Sequence, residues 1–310
     1  MRVFLRRAFN NIVALLPPRL LALFFKVFEM RPALAEAAGY SVYPKNFYSP
    51  IPYHDELNFA ALKARRNLPD IEMNVPNALS LIDNIKAFAE ELLEVPYEKQ
   101  DGSPFWFKNG SFEDFDAAAL YCLLRQTKPA RYIEVGTGFS SYVSSRAIAM
   151  NKGEGSSCEP IYIDPEPRRE MSQVMSCGRF IEKKVQDVPI ELFSSLKRND
   201  VLFIDTSHIL KMQSDVVFEL LEVLPLLGPG VLIHFHDIFT PYDYPGDWLE
   251  NPIRFACNEQ YALECLLSGG RRYQTVLPLF LLWKDHFEAL SKLFPKGKTR
   301  PHSFWFRKAE

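Results

Sequence analysis

Arg131-Tyr-Ile-Glu-Val-Gly-Thr-Gly-Phe-Ser-Ser141 is the stretch on which the fold turns. Its first five residues form a short apolar run that reads as a buried strand. Gly136 and Gly138 follow, and then a helical pattern from Ser140 to Met150. Glycines at such a corner permit a tight turn and let a ligand approach the backbone. A dinucleotide site would place a third glycine where Ser141 stands. Glu134 sits two residues before the first glycine, and a carboxylate there repels a pyrophosphate but suits a cationic ligand. A nicotinamide oxidoreductase is therefore disfavoured.

Outward from this corner the chain alternates. Arg131 to Val135, Ile161 to Ile163, Phe180 to Val185, Val201 to Ile204 and Val231 to His236 read as strands. Ser140 to Met150, Glu166 to Met175, Ile190 to Leu196 and Ser214 to Leu226 read as the helices between them. Such alternation implies a doubly wound, mostly parallel sheet with helices on both faces. Ser111-Phe-Glu-Asp114 has the form of a capping box opening a helix to Arg125. Beyond the fifth strand come a helix over Asn258–Leu267, a strand over Tyr273–Leu277, a helix over Asp285–Leu293 and a final, reversed strand at Ser303–Arg307.

Strand ends carry the polar residues. Ile161-Tyr-Ile-Asp164 closes the second strand, and an acid at that edge can accept both hydroxyls of a ribose. Val201-Leu-Phe-Ile-Asp205-Thr-Ser-His208 closes the fourth, and Leu232-Ile-His-Phe-His236-Asp237 the fifth. In an open parallel sheet these carboxyl edges face one crevice, so Asp205, His236 and Asp237 converge there. Oxygen and imidazole donors suit a divalent ion such as Mg²⁺ or Mn²⁺. Asp205 alone could instead contact the cofactor or cap the next helix. His234 shares a strand face with His236 but lies deeper and reads as core or as support for the site. His286 and His302 read as surface residues.

The Glu134-Val-Gly-Thr-Gly138 pattern resembles motif I of the class I S-adenosylmethionine (SAM)-dependent methyltransferases. The Asp205-x-x-His208 step resembles the methyltransferase-domain-24-like group and the metal-dependent O-methyltransferases of the catechol and macrolide-sugar type. The likeness spans residues 105–283, and Tyr48-Ser-Pro-Ile-Pro52 extends it loosely into the first hundred residues. It implies a Rossmann-like seven-stranded sheet with a reversed last strand, and SAM as cofactor. It implies that Gly136, Thr137, Gly138, Ser140 and Ser141 belong to the SAM site with Glu134, whose carboxylate serves the methionine portion, and that Gln186 and Asp187 meet its adenine. Asp187 has an equal alternative as an N-cap before Pro189-Ile190. By the same likeness Asp205 contacts the cofactor and binds metal, His208 is the general base, and His236 and Asp237 are further metal ligands. The relatives carry Glu-Asp or Asp-Asn where this chain has His236-Asp237, which leaves the metal and its identity open. The function implied is methyl transfer to a hydroxyl of a sugar or other small metabolite, or of a glycan. Two alternatives stand beside it: a metal-independent O- or N-methyltransferase, and a non-catalytic SAM-binding module acting through its N-terminal helices.

Composition sets the remaining bounds. Among 310 residues, 36 Lys and Arg nearly balance 38 Asp and Glu, so no field draws the chain to nucleic acid. Five cysteines, none in a CxxC spacing, fit a reduced, cytoplasmic protein. Residues 1–104 read as a helical and irregular extension, with a helix from Ala78 to Leu93, and residues 105–310 as the catalytic domain. Residues 1–31 carry six basic residues against Glu29 alone, interleaved with apolar ones. Pro17-Pro18 breaks that run below the length a membrane span needs, so nothing crosses a bilayer. Arg6-Arg7-Ala8-Phe9 echoes a twin-arginine signal, but no intact apolar region follows. Two readings of these helices stay open: packing or homo-oligomerisation, and peripheral contact with an anionic membrane. The loop Phe239–Trp248, rich in aromatics and proline, is expected to act as a lid or acceptor wall.

Overall fold

The computed structural model describes residues 17–49, 51–167, 174, 177–250 and 256–309. The expected helix at Glu166–Met175 and the stretch before residue 17 fall largely outside them. The chain divides into two compact units, Met1–Asn58 and Phe59–Glu310. Residues 59–104, grouped above with the extension, thus belong to the unit that holds the sheet.

In the first unit, helix α1 runs over Pro18–Met30 and α2 over Pro32–Ala37, with a 3-10 turn at His54–Glu56. Proline opens both helices, where a missing N–H costs nothing. No helix among the described residues is long and apolar enough to cross a membrane.

The second unit is built on seven strands: β1 Arg131–Val135, β2 Glu159–Ile163, β3 Arg179–Ile181, β4 Val201–Ile204, β5 Leu232–Phe235, β6 Tyr273–Pro278 and β7 Phe304–Lys308. Their order is β3-β2-β1-β4-β5-β7-β6. β1 to β5 pair in parallel, and β7 runs antiparallel between β5 and β6. The order reverses between β1 and β4, which opens the crevice where such sheets bind ligands.

Alternation along each strand divides the core in two. Ile133, Val135, Leu202, Ile204, Ile233 and Phe235 face one side. Tyr132, Val201, Phe203, Leu232 and Trp305 face the other. That second side is covered by α3 (Val75–Ile85), α4 (Asp114–Thr127) and α5 (Phe139–Gly153). α6 (Asp215–Phe218) and α7 (Glu259–Leu267) cover the first. Past α6 the helix widens into a π turn over Glu219–Val223 before Leu224–Leu226. Pro225 has no N–H to give to Leu221, and the wider turn absorbs that gap.

Several expectations change. The capping box at Ser111 does not form: Asn109 Oδ1 accepts the Ser111 and Phe112 N–H groups, and α4 starts at Asp114. β3 ends at Ile181 rather than Val185, which begins a 3-10 turn. The helix expected over Asp285–Leu293 is shorter, Phe287–Ser291, and an unexpected one, Leu279–Asp285, precedes it. The loop Phe239–Trp248 is not an open lid, because Phe239, Tyr242, Tyr244 and Trp248 are all buried in the core.

Candidate functional site

The first corner is closed by contact between strand ends. Gly136 has φ +84, and a Cβ on it would lie 1.8 Å from the Asp205 carbonyl oxygen. No other residue fits there without moving β4. The Gly136 N–H donates to Ile163 O (2.9 Å) and the Asp205 N–H to Val135 O (2.9 Å), so the turns after β1, β2 and β4 share one frame. Asp164 is held in that frame: Thr137 donates to its Oδ2 from both N–H (2.8 Å) and Oγ (2.7 Å), and Glu166 N–H to its Oδ1 (2.8 Å).

A cavity of about 490 Å³ opens beside these groups, within the usual range for a small-molecule site. Gly136, Thr137, Asp164, Gln186 and Asp205 line it, together with Ile163 and Val185. Gly138, Ser140, Ser141 and Asp187 are not among its lining residues. Asp187 is exposed, and the short helix at Glu191–Ser194 has no side-chain cap, so its reading as an N-cap does not hold.

Glu134 also lies elsewhere. It points to the α5 side and is fully buried. Ser140, Ser141, Ser144 and Tyr132 donate hydroxyl hydrogen bonds to it at 2.7, 2.6, 3.1 and 2.8 Å. Burial pushes its carboxyl up to about 7, against the four hydroxyls that favour its charge. Its work is to tie the start of α5 to β1, which orients the glycine turn.

His208 stands at the other end of Asp205. Its Nε2 lies 3.2 Å from Asp205 Oδ1 and 3.4 Å from Asp237 Oδ2. Its Nδ1 lies 2.9 Å from Glu259 Oε2. The His208 carbonyl accepts the N–H groups of Asn258 (3.0 Å) and Glu259 (3.3 Å), which pins the loop to the start of α7. Burial works against an imidazolium, yet the hydrogen bonds it donates to Asp205 and Glu259 and the charge of Asp237 hold His208 well above the usual histidine range. His208 and Asp237 both adopt left-handed backbone, at φ +60 and +58. Such conformations cost about 1 kcal/mol or more each and gather at functional sites.

A third imidazole joins them. His302 Nδ1 lies 2.7 Å from Asp237 Oδ1, and the Ile238 N–H donates to His302 O at 3.0 Å. Asp116 on α4 accepts the N–H groups of His302 and Ser303, which fixes the entry to β7. Burial raises the cost of the Asp237 charge, but His236, His302 and His208 hold its carboxyl far below the usual range. His236 is 3% exposed, its Nδ1 has no hydrogen-bond partner, and Ser111 O lies 3.3 Å from its Nε2. His236, Asp237 and His302 each bring one donor atom within 4.8 Å of the others. That donor set, two imidazoles and a carboxylate, fits a divalent ion. His234 supports from below, with Nε2 2.9 Å from Ser303 Oγ and its ring stacked on Phe203 at 3.9 Å.

Residues 133–238, which contain every strand end above, match the family model described as a methyltransferase domain. Over those residues the chain is similar to methyltransferase domains. The strand order β3-β2-β1-β4-β5-β7-β6 makes the sheet Rossmann-like. An uncharacterized protein of Archaeoglobus fulgidus is 29% identical over 167 residues, covering 50% of this chain and 74% of that protein. Among solved structures, an O-methyltransferase from Bacillus cereus in complex with SAH is similar at TM-score 0.37 and 14% identity, covering 76% of this chain and 91% of that one. The CmcI-N160 apo-structure is similar at TM-score 0.41 and 15% identity, covering 71% and 84%.

Glu259 and His302 lie outside the matched residues of the methyltransferase domain, and sequence reasoning missed both. Glu259 looks like any acid in a helix's first turn. For His302 a signal existed: a reversed strand beside β5 must start where β5 ends, next to Asp237.

Proposed function

We propose that the chain transfers the methyl group of SAM to a hydroxyl oxygen of a small molecule or glycan, with His208 as general base. The observation that carries this is the meeting of two sites on one residue. Asp205 lines the cavity bounded by Gly136, Thr137 and Asp164, and its carboxylate also touches His208. Ribose hydroxyls can donate to the free lone pairs of Asp164, and the adenine edge can reach Gln186.

In the transfer, a lone pair of the hydroxyl oxygen forms the new O–CH₃ bond. The S–CH₃ pair returns to sulfur, leaving S-adenosylhomocysteine (SAH), and the hydroxyl proton passes to Nε2 of a neutral His208, the form favoured when a cation rather than the imidazolium neutralises Asp205 and Asp237. In-line alignment supplies much of the acceleration. Asp205, His236, Asp237 and His302 are the residues that would hold a divalent ion, and the chemistry such an ion supplies is a lowered hydroxyl pKa. A charged His208 and a cation on Asp205 and Asp237 are alternatives, since both depend on the same carboxylate oxygens. That contact favours a second reading, in which the carboxylates hold His208 as an imidazolium, no metal takes part and the acceptor's proton leaves to solvent.

Calorimetric titration with SAM and SAH, with Mn²⁺ or Mg²⁺ and after chelation, tests both readings. Nucleotide binding with a separate metal signal supports the first; nucleotide binding without one supports the second. No nucleotide binding under any condition defeats both.

A further inference from the structure

Helix α1 carries an exposed apolar face. Leu20, Leu23, Val27 and Met30 fall at i, i+3, i+7 and i+10, which places them on one stripe. All four are exposed, Leu23 at 60% and Met30 at 70%. Arg19 and Lys26, seven residues apart, run along one edge of this stripe, and both are exposed. Glu29 falls on the far side of the helix. Long basic side chains beside an apolar stripe can lay their stems over it and send their charges outward.

We infer that α1 lies flat on an anionic lipid bilayer, with Leu20, Leu23, Val27 and Met30 inserted at the boundary between headgroups and acyl chains. Charge complementarity selects this occupant. Residues 1–31 hold Arg2, Arg6, Arg7, Arg19, Lys26 and Arg31 against Glu29, a net charge of +5, while the whole chain is at −2. A second copy would meet that surface with like charge; an anionic leaflet meets it with the opposite one. Length agrees, since the 13 residues of α1 rise about 20 Å, short of the ~30 Å hydrocarbon core. The helix lies on the membrane and does not span it. Phe47, 93% exposed, and Tyr48, 87% exposed, belong to the same unit and are of the kind that settles at headgroup level.

The test is co-sedimentation of the full chain with phosphatidylcholine vesicles, with and without phosphatidylglycerol, at low and high salt. The chain should pellet with the phosphatidylglycerol vesicles and be released by salt. Leu23→Asp with Val27→Asp should lower partitioning at least about tenfold. Arg19→Glu and Lys26→Glu should each lower it about fivefold or more. All variants should keep the wild-type melting temperature and SAM affinity, so loss of the fold or of the cofactor site is seen separately. Equal binding to neutral vesicles, or wild-type pelleting by the Leu23/Val27 variant, overturns the inference. So does a soluble wild-type dimer, indifferent to vesicles, that the same double substitution dissociates.

Discussion

Glu134→Gln should remove a pH dependence of stability that the wild-type chain carries between about pH 4.5 and 7. The Glu134 carboxyl has an ordinary value of 4.5 and stands at about 7 in the fold, raised by burial. Below 4.5 it is protonated whether folded or unfolded, and its contribution to stability is at its fullest. As pH rises, the unfolded chain gives up this proton first, so stability is lost until the folded carboxyl ionises too. The gap is about 2.5 pKa units, and at about 1.36 kcal/mol per unit the full loss is a little over ~3 kcal/mol. Gln has the same shape and no proton to lose, so its curve should be flat in this window apart from other groups. Urea unfolding of both proteins across that range gives the difference curve. Parallel curves would refute the reasoning. SAM affinity should change less than about threefold, because the four hydroxyls and not the cofactor hold this carboxyl. A large loss of affinity with no change in the pH curve would return Glu134 to the cofactor's ammonium group.

Asp205→Ala should abolish methyl transfer while circular dichroism and melting stay close to wild type, since its side chain faces cavity and His208 rather than core. His302→Ala leaves the inner contact of Asp237 empty and should weaken Mn²⁺ binding about tenfold to a hundredfold, read by paramagnetic titration. Glu259→Gln keeps a hydrogen-bond acceptor for His208 Nδ1 but removes its charge, so the His208 titration followed by NMR should move down toward 6.5. Gly136→Ala forces a carbon against the Asp205 carbonyl and should cost about 3 kcal/mol or more by thermal unfolding, with loss of SAM binding.

The sheet was legible because each strand announces itself by alternation, and because Asp164, Asp205 and Asp237 follow the last apolar residue of their strands. The site was legible as far as strand ends could carry it. Glu259 and His302 escaped because each reaches the site through tertiary packing, one from the first turn of α7 and the other from the residues before β7. Glu134 shows a limit of another kind. Its place beside the glycine turn says nothing of which way the side chain points, and period-two alternation with Tyr132 sends it toward the α5 serines. The Phe239–Trp248 loop misled because aromatic and proline content is shared by lids and by loops that fill a core. Its burial is enforced from outside, by Arg300 Nη1 and Nη2 donating to Asp247 at 2.9 and 3.1 Å and Gln260 Nε2 donating to Tyr242 O at 2.8 Å.

β7 enters the sheet between two strands that precede it in the chain. During synthesis, therefore, β5 and β6 cannot be joined until residues 304–308 have left the ribosome. Until then β5 presents an open edge, and Asp237 waits at its tip without His302. A nascent chain could fold its cofactor corner and still lack a finished reaction centre. Insertion of the last strand is then a checkpoint on assembly: the event that closes the sheet also delivers the third imidazole.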